Sequence, residues 1–270
     1  MHKHEKFENG LLSVRFVGPE LAHRGVSIYD LSHVLLATQR IFHKAHLARE
    51  GRLTKGAFPD AEQRRELALQ LGERRRRSDA FALVPILLDP QVQSHLYKLA
   101  DYVVSGIVGY YVGDVIKRVQ GEKDANKQNF VTSIYTEVAV INNRVGGSGG
   151  VEAITLGEPR TGRETIAAFD SGTKEYLSSI KGEVALGTFQ EIKGKVYKFY
   201  PASRIAAIRR AGGRTVSVFL NESDFDLIRY HQEKSPMFIF RGRPRYQFGV
   251  ETASISEFVA ERIEYVPGEA

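Results

Sequence analysis

Apolar positions follow a mostly helical spacing up to about residue 180 and a largely period-two spacing beyond it. Leu12 to Val17 is a short β-rich run closed by Gly18-Pro19, a turn signal, and predicts an opening strand. Ser27-Ile28-Tyr29-Asp30 fits a capping pattern, in which the Ser oxygen accepts from a free backbone N–H and the acid returns a bond. Leu31, Val34, Leu35, Thr38, Ile41, Phe42 and Ala45 then recur at three- and four-residue steps, which predicts a core-facing helix. Residues 49–78 are polar and basic. Pro59-Asp60 predicts the start of a second, more exposed helix carrying Leu67, Leu69 and Leu71. Ala80 to Leu88 is nearly all apolar and suits a strand covered on both faces, although Pro85 inside it removes a ladder donor.

The spacing predicts a long helix over Val92 to Val119, with Gly106, Gly109 and Gly113 on one of its faces. Interior glycines each cost about 1 kcal/mol relative to alanine, so another backbone is expected to pack closely there. That backbone belongs either to this chain or to a second copy. A further helix is predicted over Phe130 to Arg144, a flexible loop at Gly146-Gly147-Ser148-Gly149-Gly150, a strand over Val151 to Leu156 and a helix over Glu164 to Ile180.

From Val184 the pattern is β-rich. A first strand covers Ala185 to Ile192 and continues after Gly194 through Val196 to Tyr200. Ile205 to Arg209 follows, then a turn at Gly212-Gly213, then Thr215 to Leu220 with Val216, Val218 and Leu220 alternating inward. Asn221 or Ser223 caps a short helix, and Met237 to Arg243 and Ile255 to Val266 make the last two strands.

The order β-β-β-α-β-β resembles the OB-fold, a small five-strand Greek-key barrel with a helix between its third and fourth strands. An SH3-like barrel is the competing architecture. The whole chain is also similar to an uncharacterised family of bacterial two-domain proteins, on the strength of Phe16-Val17-Gly18 and the Ser27–Ala45 helix. That resemblance implies a fold and no agreed activity. The expected class is α+β: a mixed α/β domain over residues 1–181, then an OB-like or SH3-like β-barrel over residues 182–270.

Composition narrows the chemistry. The 270 residues include no cysteine, which excludes disulfides, thiolate catalysis and Cys-type zinc or iron–sulfur sites. No signal-like apolar stretch follows Met1, and the longest apolar run, Tyr102 to Gly113, is too short for a spanning helix of about 20 residues. No membrane span and a cytoplasmic location are expected. The net charge of +6 is a mild bias, but it concentrates. Residues 187–246 hold twelve Lys or Arg against five Asp or Glu, a local +7.

Within that stretch Lys193, Lys195, Tyr197 and Lys198 cluster on the first strand, and Arg241, Arg243, Arg245, Tyr246 and Phe248 follow the fourth. Cations that neutralise phosphates beside aromatic faces that stack bases are what single-strand binders use. Arg74, Arg75, Arg76 and Arg77 could extend such a track. The alternative is a solvated sheet with core aromatics. His43 and His46, one helical turn apart, lack a local third ligand, with His43 expected exposed, so no metal site is predicted. The glycine run lacks the G-K-[ST] ending of a P-loop and the G-x-G-x-x-G spacing of a dinucleotide turn, and no catalytic residue or cofactor is predicted. The expected function is a non-enzymatic accessory or sensor that binds single-stranded DNA or RNA, with antiviral defence one conceivable setting. The alternatives are a protein–protein assembly module, self-associating through Gly106, Gly109 and Gly113, and a hydrolase or nuclease without a recognisable motif.

Overall fold

Two sheets organise the chain, one before residue 182 and one after it. The computed structural model of the protein describes residues 10–53, 56–74, 80–87, 89–210, 215–231, 237–249 and 256–266. β1 (Leu12–Val17) takes the centre of the first sheet because Leu12, Val14 and Phe16 are buried while Arg15 and Val17 alternate outward. It pairs antiparallel with β3 (Ala80–Pro85) and β4 (Ala153–Glu158), and β2 (Leu69–Arg74) and β5 (Arg163–Phe169) complete the order β2-β3-β1-β4-β5.

α1 (Leu21–Arg24) is a single turn before the long α2 (Ile28–Arg49). Ser27 Oγ accepts from the Asp30 N–H at 3.0 Å and its hydroxyl donates to the Asp30 carboxylate at 2.7 Å, which fixes where α2 begins. The apolar stripe of α2 packs on α4 (Pro90–Gly106), α6 (Ala125–Ser133) and α7 (Tyr135–Asn142). The helix expected over Phe130 to Arg144 is divided at Ile134 between α6 and α7.

Three expectations change. α3 (Ala61–Glu66) stops before Leu67, and Leu69 and Leu71 belong to β2, where pairing with β3 overrides their helix propensity. The helix expected over Val92 to Val119 is broken: a π-turn covers Ile107–Tyr111, and α5 (Val115–Gly121) departs at 119°. Gly113 makes the break, with a φ of +132° that side-chain-bearing residues avoid, and Asp114 restarts the helix by accepting from Lys117 N–H. Glu164 to Ile180 divides into β5 and α8 (Ser171–Ser179), because Ala167 and Phe169 alternate inward against β4 and Asp170 caps the following turn. In the glycine run Gly146, Gly147 and Ser148 are exposed, whereas a Cβ on Gly149 would lie 2.4 Å from the Asp30 carboxylate.

In the second sheet β6 (Val184–Leu186), β7 (Gln190–Tyr200), β8 (Ile205–Arg209), β9 (Thr215–Phe219), β10 (Met237–Gln247) and β11 (Glu257–Val266) take the order β11-β9-β8-β7-β10-β6. β10 also pairs with β11, so β7, β8, β9, β11 and β10 each have a hydrogen-bonded neighbour on both sides. All these pairs are antiparallel except β9 with β11. α9 (Glu222–Tyr230) lies between β9 and β10 in the chain, capped by Asn221, whose side chain accepts from Asp224 N–H at 2.8 Å. The expected strand interruption at Gly194 falls instead at residues 187–189, where the Gly187 N–H turns to Pro244 O and the Thr188 N–H to Gln128 Oε1. The expected turn at Gly212-Gly213 lies outside the described residues.

Two apolar cores result. The first contains Ala185 and Phe248 as well as the helical residues, and the second begins at Ile192. Gln128 joins them: fully buried, it donates to Val119 O and Glu122 O and accepts from Thr188 N–H.

Candidate nucleic-acid interface

β7 alternates until Val196, with Ile192 and Gly194 buried and Glu191, Lys193 and Lys195 exposed. A bulge then inserts Tyr197, so that Val196 faces Ile208 and Lys198 faces Ala207. One extra residue puts two consecutive side chains, Tyr197 and Lys198, on the outer surface before Phe199 turns in and Tyr200 out. Tyr197 and Tyr200 are 49 % and 40 % exposed. The Arg209 guanidinium lies 5.3 Å from the Tyr197 ring centre, and the Lys198 ammonium lies 5.0 Å from that of Tyr200. Lys195 stands directly opposite Arg209 in the β7–β8 register. Like charges so placed repel, and among the described residues neither one, nor Lys198, has a carboxylate at ion-pair distance.

The arginines of β10 are placed differently. Arg241, Arg243 and Arg245 share a pleat face opposite the fully buried Phe238 and Phe240, as the period-two pattern predicts. That face also carries acids from β7 and β11. Arg241 reaches Glu191 at 3.0 Å and Glu264 at 2.9 Å, Arg243 reaches Glu261 at 3.1 Å, and Arg245 bonds to Glu257 beside the ring of Phe219. Lys193 lies 3.7 Å from Glu191. The +7 counted over residues 187–246 omits Glu257, Glu261 and Glu264, which the fold returns to those arginines.

Tyr246 and Phe248 present no free ring face. Tyr246 is 2 % exposed, and burial pushes its phenol up; Phe248 is fully buried, with its ring centre 5.8 Å from that of Tyr135. Pleating accounts for Tyr246, since it continues the inward set begun at Phe238 and Phe240. Arg75, Arg76 and Arg77 lie outside the described residues, and Arg74 ends β2 opposite Phe81 in the first sheet. Sequence reasoning did not single out Arg209, because only the strand pairing brings it beside Lys195 and Tyr197.

Gly106, Gly109 and Gly113 do not line one face, since the helix breaks between them. A Cβ on Gly106 would come within 2.5 Å of the buried Phe130 ring, one on Gly109 would meet nothing within 4 Å, and Gly113 sits at the break beside Arg118. His43 is buried rather than exposed, at 8 %, and His46 meets a partner that the sequence did not suggest: its Nδ1 lies 3.3 Å from His95 Nε2 on α4. Burial, then Arg64 and His46, lowers His43 to about 4, and burial also lowers His95. Among the described residues no group of three His, Asp or Glu side chains is arranged to hold a metal ion. No helix there is by itself long and apolar enough to cross a membrane.

None of the family models, curated proteins or solved structures compared with this chain matches it, so neither the two-domain family resemblance nor a named relative adds to what the geometry says.

Proposed function

We propose that the C-terminal strands form an OB-type barrel whose outer face on β7 and β8 binds single-stranded nucleic acid. The strand order, the parallel third–fifth pair and the helix between the third and fourth strands support the barrel reading. The observation that carries the binding reading is Lys195 opposite Arg209 beside Tyr197. Two cations held together with no carboxylate among the described residues suit a phosphate between them, and an exposed ring beside them suits a base. Lys198 and Tyr200 repeat the pair one step along the strand. The role would be that of a non-enzymatic accessory or sensor.

The test is fluorescence anisotropy with labelled oligo-dT and oligo-U at several salt concentrations. Binding should weaken steeply with salt, and Tyr197→Ala should lose about 1–3 kcal/mol for one stacked base. Absence of binding at tens of micromolar protein in low salt would sink the proposal.

A further inference from the structure

His46 and His95 meet nitrogen to nitrogen where α2 packs on α4. His46 Nδ1 lies 3.3 Å from His95 Nε2, with the ring planes 82° apart. That separation is long for a hydrogen bond, in which an N–H nitrogen usually stands about 2.7–3.2 Å from its acceptor. It matches the bite of a tetrahedral metal ion. Two imidazole nitrogens, each about 2.0–2.1 Å from Zn²⁺, stand about 3.3–3.4 Å from one another.

The surroundings prepare both rings to be ligands. The His46 Nε2 is buried and has no hydrogen-bond partner, and Glu50 Oε1 lies 3.3 Å from it. The pull of that carboxylate favours the ring proton on Nε2 and leaves the Nδ1 lone pair facing His95. A carboxylate behind a histidine is the usual means of orienting a metal ligand. His46 is 6 % exposed, so the core fixes it, whereas His95 is exposed. Water can therefore complete a coordination shell from the His95 side. Burial first, then His46 and Arg49, lower His95 from the usual imidazole value, so it meets neutral pH uncharged and with a lone pair to give. Glu50 and Glu66 act on the same ring in the opposite sense, two carboxylates against the one arginine, which favours a dication. Glu50 also bonds Arg52 at 2.8 Å. His43 takes no part, since its Nε2 faces the Gln39 amide and its ring packs edge-on against Phe58.

Neutral imidazole nitrogen selects late first-row ions such as Zn²⁺ over Mg²⁺ and Ca²⁺, which take oxygen. The two helices are already positioned by packing, so chelation between them orders little that was free.

We propose that His46 and His95 form a two-histidine site for a divalent transition-metal ion, with Zn²⁺ the ion it fits, that ties α2 to α4. It is independent of the barrel face.

Thermal unfolding and calorimetric titration of the full chain with zinc chloride at pH 7.5 test it. A His2→Ala/His4→Ala background keeps the N-terminal histidines from competing. A single Zn²⁺ should bind and raise Tm, and Mg²⁺ should do neither. His95→Ala, a change at an exposed ring that leaves the core intact, should abolish both the binding and the Tm shift. Glu50→Gln should weaken Zn²⁺ about ten- to a hundredfold, the usual effect of losing the group behind a ligand. His43→Gln should leave Zn²⁺ binding in place. Binding should also weaken at pH 5.5, where protons compete for the same lone pairs. No Zn²⁺ binding at submillimolar concentration, a Tm shift that His95→Ala retains, or an equal response to Mg²⁺ would each overturn the proposal.

Discussion

Arg241 Nε lies 3.0 Å from a Glu191 carboxylate oxygen, directly across the β10–β7 pairing. Glu264 takes a second nitrogen of the same guanidinium, so this cation is already matched before any phosphate arrives. A phosphate gains little from a cation it must first detach from two acids. We therefore expect Arg241→Ala to change the salt dependence of oligonucleotide binding very little. Lys195→Ala and Arg209→Ala should each flatten the slope of log K against log salt by about 0.7, the value for one lost phosphate contact on a single strand. Equal slopes for all three variants would show that the strand registers do not select the contacts.

That contrast also shows where the sequence stops being informative. Alternation along a strand is a local property, so Leu12 to Val17, Ile205 to Arg209 and the inward Phe238 and Phe240 were legible. Caps are local too, hence Ser27 and Asn221. Which acid sits opposite which arginine depends on strands tens of residues apart, and Glu261 beside Arg243 is invisible until β11 is paired. The break at Gly113 was missed for a related reason. Glycine spacing alone does not distinguish a packed helix face from a positive-φ kink, and only the φ of +132° decides. Likewise Leu69 and Leu71 fit a helix stripe or a strand equally well until β3 lies beside them.

The α4 glycines separate in a stability measurement. A methyl at Gly106 would stand 2.5 Å from a ring carbon of Phe130, itself fully buried, so the ring or the helix must move. Gly106→Ala should lose about 1–3 kcal/mol, the usual cost of overpacking. At Gly109 an added methyl meets nothing within 4 Å, and Gly109→Ala should be neutral or gain up to about 1 kcal/mol. Urea unfolding of both variants gives the two signs. A Gly109→Leu protein with unchanged light-scattering mass is expected as well, because no continuous glycine face exists for a second copy to seat on.

Gln128 couples the two cores through three hydrogen bonds made by one fully buried side chain. Gln128→Leu has a similar volume but leaves Val119 O, Glu122 O and the Thr188 N–H without that partner. Val119 O keeps the Glu122 N–H at 3.3 Å, so two half-buried groups, Glu122 O and the Thr188 N–H, are left unsatisfied. At about 1 kcal/mol each, a loss of roughly 2 kcal/mol is expected. Hydrogen exchange should also quicken at Thr188. A loss no larger than about 0.5 kcal/mol would mean that the junction does not depend on this side chain.

His43 makes folding sensitive to acid, and its hydrogen bonds give the reason. The Gln39 amide is oriented by its neighbours: its Oε1 accepts from the Leu69 N–H and its Nε2 donates to Leu67 O, both at 2.9 Å. The same nitrogen points a donor at His43 Nε2, 3.0 Å away, which therefore accepts and carries no proton. Charging the imidazole would set an N–H against an N–H in a buried place beside Arg64. Burial first, then Arg64 and His46, lowers the group from 6.5 to about 4 in the folded chain. Below 6.5 the unfolded chain binds a proton that the folded chain refuses. The stabilisation is thus complete above pH 6.5 and is lost progressively as pH falls toward 4. Carboxylates titrate over part of the same range, so the informative quantity is the difference between wild type and His43→Gln. Urea midpoints at pH 7.5, 5.5 and 4.5 should converge between the two proteins as the pH drops, because only wild type carries this proton linkage. Midpoints that stay parallel across the series would show that His43 is not held neutral by its surroundings.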